Sequence, residues 1–204
     1  GSQLWPAAVC IASDLLRMPE IVEGARVLEL GCGNGLCSLA AASLEARSVL
    51  ATDYRQFPLD LLRKAADTRG AKVSEKLETR VLDFADPMPS AVVMSTRHRA
   101  EKVPPLALTL PDHDVLVAAD VGYSKALAWR LGEHCRESLK KGRRVLVCES
   151  RQMPECRLAF SEALNLGRER VHRLQSRTPL QVETGALRCR ESIPSLWYLD
   201  ATGG

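Results

Sequence analysis

No apolar run in this chain of 204 residues reaches the roughly 18 residues that a membrane helix needs, so a membrane partner is not expected. No basic-then-apolar leader opens it, so secretion is not expected. The pattern Cys-x-x-Cys is missing, although seven cysteines occur, at positions 10, 32, 37, 135, 148, 156 and 189. Zinc-ribbon spacing is thereby excluded, and no metal site is expected. An odd number of cysteines, most among apolar neighbours as in Val145-Leu146-Val147-Cys148, points to buried hydrophobes in a reducing compartment. The expected location is the cytoplasm, with the nucleus also open. Excess charge is small: 28 basic against 25 acidic residues leave +3, too little to argue for DNA or a membrane surface as a partner. Internal repeats and low-complexity tracts are absent from the sequence as well.

What remains is an average globular composition, 46% hydrophobic and 26% charged, which excludes disorder, collagen and coiled coil as descriptions of the whole. The length suits one domain over residues 1–204 with its own core, expected as a monomer. Gly1-Ser2 reads as a cloning remnant ahead of the native sequence.

Strand-like and helix-like segments alternate. Val27 to Leu30 is a short apolar run ending at Gly31, hence a buried strand. Leu36, Leu39, Ala40 and Leu44 recur at helical spacing. Ser48 to Thr52 is a second strand, and Pro58 is placed to open the next helix at its first position, with Gly70 ending it. Thr79 to Phe84 reads as a third strand, Asp114 to Ala119 as a fourth and Arg144 to Glu149 as a fifth. Between the last two, Leu127, Leu131, Cys135 and Leu139 make one helical stripe that stops at Lys140-Lys141-Gly142. A helix carrying Ala159, Phe160, Ala163 and Leu164 is expected to stop at Gly167. Arg170 to Leu174 and Ser195 to Asp200 look like two last strands with no helix pattern between them. The pattern predicts a Rossmann-like α/β fold: a mostly parallel seven-strand sheet with an antiparallel final strand and helices on both faces. Two stretches break the rhythm, 175–194 and the Pro-rich 87–111 with Arg97, His98, Arg99 and Lys102; loops of that length tend to be functional. Contact of Arg97, Arg99 and Lys102 with an acidic protein surface is one reading of the second, and a solvated insertion is the other.

The most informative stretch is Val27-Leu28-Glu29-Leu30-Gly31-Cys32-Gly33-Asn34-Gly35-Leu36. A buried strand runs into glycine at alternate positions and then into a helix, as it must where a ligand touches the main chain. Dinucleotide enzymes favour Gly-x-Gly-x-x-Gly, and here Leu36 fills the slot of the third glycine. A Walker loop would need Lys and Ser or Thr after the glycines, and both are missing. Glu29 would repel a pyrophosphate and suits a ligand with a cationic part. Asp53 closes the second strand, where a carboxylate can accept both ribose hydroxyls. Asp83 closes the third, with Phe84 after it. Glu29, Asp53 and Asp83 at successive strand ends would all point into a crevice at the carboxyl edge of the sheet.

This segment resembles the cofactor motif of seven-strand methyltransferases that use S-adenosylmethionine. Gly31, Gly33 and Gly35 match its glycines and Glu29 its acid. The resemblance implies that Asp83 accepts from the adenine amine and that S-adenosylhomocysteine is the product. After the fourth strand, Asp120-Val121-Gly122-Tyr123 replaces the paired prolines of nucleic-acid amino methylases. Together with Leu4-Trp5-Pro6-Ala7-Ala8, it resembles the small protein-lysine methyltransferases that act on non-histone proteins. That resemblance implies that Trp5 packs beside the cofactor and that Asp120 and Tyr123 line the methyl-transfer channel. Asn34 in the turn, Tyr54 beside Asp53, and Ala119 before Asp120 complete the candidate binding set. The implied partner is a protein substrate. Methylation of histidine, arginine, RNA or a small molecule remains a second reading, and a non-catalytic cofactor-binding scaffold a third.

Overall fold

The computed structural model describes residues 3–86, 109–150, 153–165, 171–172 and 195–199, the last two as backbone pairing alone. Strands β1 (Arg26–Leu30), β2 (Ser48–Asp53), β3 (Leu77–Val81), β4 (Val115–Ala119) and β5 (Arg144–Glu149) run parallel to one another. The sheet runs β3-β2-β1-β4-β5 and continues into β7 (Ser195–Leu199), antiparallel to β5, and β6 (Val171–His172), antiparallel to β7. The helices are α1 (Pro6–Arg17), α2 (Leu36–Ser43), α3 (Gln56–Thr68), the short α4 (Ala71–Ser74), α5 (Lys125–Lys140) and α6 (Pro154–Leu164). The α/β, Rossmann-like reading therefore stands in its main feature, a parallel sheet with helices on both sides.

Strand alternation sorts the core into two halves. Val27, Val49, Ala51, Val115, Val117, Leu146 and Cys148 pack under α1, α2 and α3. Leu28, Leu30, Leu116, Ala118, Val145 and Val147 pack under α5 and α6. Successive side chains of one strand thus meet different helix layers, which is why the central strands are apolar throughout.

The boundaries differ from the sequence reading most at three places. The third strand lies at 77–81, not 79–84, because its rungs pair with β2 as far as Asp53↔Val81 and β2 ends there. Asp83 and Phe84 fall in the turn that follows, with the Asp83 carboxylate accepting from the Ala85 amide at 3.0 Å. Helix α3 begins at Gln56, so Pro58 sits inside its first turn, where its missing N–H still costs nothing. The last helix stops at Leu164, where Asn165 takes the left-handed conformation at φ 44°; Gly167 lies outside the described residues. So do most of 87–111, with Arg97, His98, Arg99 and Lys102, and all of 175–194.

The glycine turn shows the tightest packing. Gly31, Gly33 and Gly35 have φ of 64°, 51° and 76°, in the left-handed region that costs a side-chain-bearing residue about 1–2 kcal/mol. A Cβ on Gly35 would also stand 2.3 Å from Leu62 Cδ1, on α3. Gly24 offers a control, since it has φ 67° but nothing within 4 Å of an added Cβ. Gly35→Ala is expected to destabilise the fold by roughly 2–5 kcal/mol, combining strain and overpacking. Gly24→Ala should cost only about 1–2 kcal/mol. Equal losses of the two variants in denaturant unfolding would show that the α2–α3 contact tolerates the methyl.

Candidate functional site

The order β3-β2-β1-β4 reverses direction at β1, so the crevice beyond the carboxyl ends of β1 and β4 is a topological switch point. A cavity of about 380 Å³ lies there, within the range of small-molecule sites. Trp5, Gly31, Gly33, Asp53, Tyr54, Asp83, Phe84, Ala119, Asp120 and Tyr123 all line it, gathered from the ends of four strands and from the start of α1.

Local structure explains how each wall is built. The turn after β1 is anchored to β2 by the Cys32 amide on the Thr52 carbonyl at 2.8 Å. Gly31 brings β1 close to the loop after β4, since an added Cβ would stand 2.5 Å from Val121 Cγ1. The Asp53 carboxylate accepts from the amides of Gly33 at 3.2 Å and Arg55 at 3.0 Å. Those bonds use two of the roughly four acceptor directions of a carboxylate. Tyr54 is 54% exposed at the rim, with the Arg55 guanidinium 5.1 Å from its ring centroid. Trp5 is half-buried at the N-terminus of α1, just ahead of Pro6 in the first helical turn.

Asp120 and Tyr123 stand in the loop that follows β4. Asp120 has φ 54°, which Asp tolerates better than most residues. Its two carboxylate oxygens accept from the Ser150 amide and the Ser150 hydroxyl, both at 2.6 Å. Tyr123 is 51% exposed, and partial burial, helped by Tyr54 and Asp53, raises its phenol above the ordinary value. It is therefore a neutral hydroxyl near pH 7.

Three of the sequence candidates lie outside the crevice lining. Glu29 is 2% exposed, on the same strand face as Val27, and its carboxylate is taken by the amide of Ser38 at 3.0 Å and by the Ser38 hydroxyl. Alternation along β1 aims it under α2 rather than out of the strand end, so the expectation that it points into the crevice is corrected. Asn34 turns its Oδ1 to the Leu36 amide at 3.4 Å, at the start of α2. Gly35 faces Leu62, so its freedom shapes the turn.

Sequence reasoning missed several groups. Arg55, Pro58, Leu82, Val121, Leu127 and Glu149 also line the cavity. Glu149 closes β5 and was findable by the rule that singled out Asp53. His134 was not: it is a buried residue of α5 whose Nε2 bonds the Phe84 carbonyl at 2.7 Å. A carbonyl only accepts, so that nitrogen carries the proton. Burial lowers the ring's pKa, which keeps it neutral while it pins the Phe84 turn.

A switch-point crevice with a glycine cradle on one side and an acid–tyrosine loop on the other fits a methyltransferase, and the fold agrees. An S-adenosylmethionine-dependent O-methyltransferase of Thermotoga maritima matches with a TM-score of 0.61 over 98% of this chain and 67% of that one, at 15% identity. The chain belongs to the lysine methyltransferase family, whose profile matches residues 1–165. Among curated relatives, the protein N-terminal and lysine N-methyltransferase efm7 of Emericella nidulans is 31% identical over 69% of this chain and 53% of its own length. Its namesake in Yarrowia lipolytica is 28% identical over 72% of this chain and 55% of its own. The chain thus spans about half the length of these relatives.

Burial lifts the Glu29 carboxyl to about 7, against a smaller lowering by Ser38. The folded state then holds a proton that the unfolded chain has released. This contribution to stability is complete below the unfolded value, near 4.3, and is lost as pH rises through about 7. Glu29→Gln should remove that loss. Between about pH 4 and pH 8 the variant should gain up to roughly 3 kcal/mol relative to wild type. Parallel unfolding free energies across that range would contradict the assignment.

Proposed function

We propose that this chain transfers a methyl group from S-adenosylmethionine to an amine of a protein, first of all a lysine side chain. The observation that carries the reading is the single crevice shared by Gly31, Gly33 and Asp53 on one side and Asp120 and Tyr123 on the other. Membership of the lysine methyltransferase family supports it. The names of the two fungal relatives add protein N-termini as a second amine acceptor.

The residues present fit the cofactor. Gly31 and Gly33 leave the main chain bare of side chains where a ligand would lie, and Asp53 has acceptor capacity for two ribose hydroxyls. Asp83 with Phe84 would hold the adenine end, and Trp5 would close the crevice from α1. When bound, S-adenosylmethionine supplies an electrophilic methyl group and a positive charge that disfavours a second cation beside it.

The chain's own task is to deliver a neutral amine. A free lysine is protonated at pH 7 by about 3.4 units, near 4.6 kcal/mol. Asp120 cannot lower that cost, because an anion favours the ammonium form. Its role is to bind the arriving cation and aim the nitrogen, and the Ser150 bonds hold it in one orientation for that purpose. Desolvation in the crevice favours proton loss to water. Tyr123, a neutral phenol, walls the channel and orients the amine through its hydroxyl or ring face. An N-terminal amine, with a pKa near 7.7–8.0, would meet a smaller deprotonation cost in the same place.

Two variants separate binding from transfer, read with tritiated methyl donor and a protein acceptor isolated from lysate after nuclease treatment. Asp53→Ala should weaken S-adenosylhomocysteine binding at least about tenfold, as expected for lost charge-assisted bonds. Asp120→Ala should keep that affinity within a few-fold while transfer falls by roughly two orders of magnitude. Unchanged affinity in the first, or normal transfer by the second, would contradict these roles. Label transferred to untreated lysate that nuclease releases and protease does not would overturn the protein acceptor.

A further inference from the structure

The last rung between β4 and β5 pairs Ala119 with Cys148, and the Asp120 amide adds one more bond to the Cys148 carbonyl at 2.9 Å. Beyond it the two chains are joined by side chains. Asp120, at the end of β4, accepts from the backbone amide of Ser150 after β5. Glu149, the last residue of β5, accepts through Oε1 from the backbone amide of Gly122 after β4, at 2.9 Å. Each strand end thus holds the other's main chain by a carboxylate. Gly122 makes room for the second bond, because a Cβ there would stand 2.9 Å from that same oxygen.

We propose that Glu149 is a positioning residue for methyl transfer, fixing the Asp120–Tyr123 loop through the Gly122 amide. The proposal rests on the reading of Asp120 and Tyr123 as the acceptor side. Val121, Gly122 and Tyr123 have no helix or strand of their own, so the tether at Gly122, beside the buried Val121 side chain and the Asp120–Ser150 bonds, helps to set where the loop stands. The bond is charge-assisted and sits against a small, mostly apolar cavity lined by Ala128, Leu131, Val147, Met153, Cys156 and Phe160, with Arg157 also in its wall. The glycine turn, Asp53 and Asp83, on the turns after β1, β2 and β3, make no hydrogen bond to Glu149 among the described residues, although they share its cavity. A displacement of about 1 Å at the reacting groups can cost about 100-fold in rate.

Three variants test it. Glu149→Gln keeps an oxygen acceptor at the same reach without the charge. Glu149→Asp keeps the charge and draws the acceptor back by one methylene, and Glu149→Ala removes both. In Ala and Asp, kcat should fall roughly 10–100-fold, S-adenosylhomocysteine affinity should stay within threefold, and amide hydrogen exchange over residues 119–124 should quicken. Gln should restore kcat and exchange most of the way to wild type. Should the Ala variant fail to bind S-adenosylhomocysteine, Asp against Gln gives the same comparison. Gln as slow as Ala would overturn the proposal, since charge and not the tether would then be at work. Wild-type exchange in both Ala and Asp would overturn it equally. Wild-type protein that methylates no amine would instead overturn the functional reading, and the exchange arms would still decide whether the clasp holds the loop.

Discussion

The site depends on one constraint: β1 must end hard against the loop that follows β4. Val121 Cγ1 would lie 2.5 Å from any β-carbon at position 31, so only glycine lets these two segments meet. That contact closes the floor of the crevice at the point where strand order reverses. The left-handed turn through Gly31, Gly33 and Gly35 then swings the chain into α2, and Gly33 offers its amide to Asp53 at the end of β2. The cradle is therefore a consequence of close packing between three adjacent strand ends.

Acids around this edge divide into two kinds by where they stand along their strands. Glu29 faces inward under α2, is buried and is satisfied by Ser38. Asp53, Asp83, Asp120 and Glu149 stand at or just past strand ends and line the cavity. Asp53 and Asp83 accept from backbone amides, Glu149 accepts from the Gly122 amide, and Asp120 takes one amide and one hydroxyl of Ser150. The backbone thus orients the carboxylates, which is the preorganisation that binding and aiming a cation require.

Much of this was legible in the sequence because buried parallel strands read as apolar runs. Val27–Leu30, Asp114–Ala119 and Arg144–Glu149 fall within a residue of β1, β4 and β5 for that reason. The edge strand β3 was harder: only Leu77 on it is buried, so the apolar Val81-Leu82 pair drew the boundary too far along. The glycines, Asp53, Asp83, Asp120 and Tyr123 could be found because strand ends at a switch point are where ligands bind. Glu29 was misplaced because its position in the motif outweighed the alternation of β1, which sets it beside Val27 and under α2. Glu149 followed from the same strand-end rule and was passed over. His134 gave no signal, since a buried helix histidine bonding a distant carbonyl is a fact of tertiary packing.

The central claim is that the crevice delivers a neutral protein amine to a methyl donor. Its most direct measurement is amino-acid identification of the product: a purified acceptor labelled from tritiated S-adenosylmethionine, hydrolysed, and its labelled species separated. The account predicts label in methylated lysine, with a methylated N-terminal amine as the other product of the same amine chemistry. Label confined to methylhistidine, methylarginine or a carboxyl ester would contradict it.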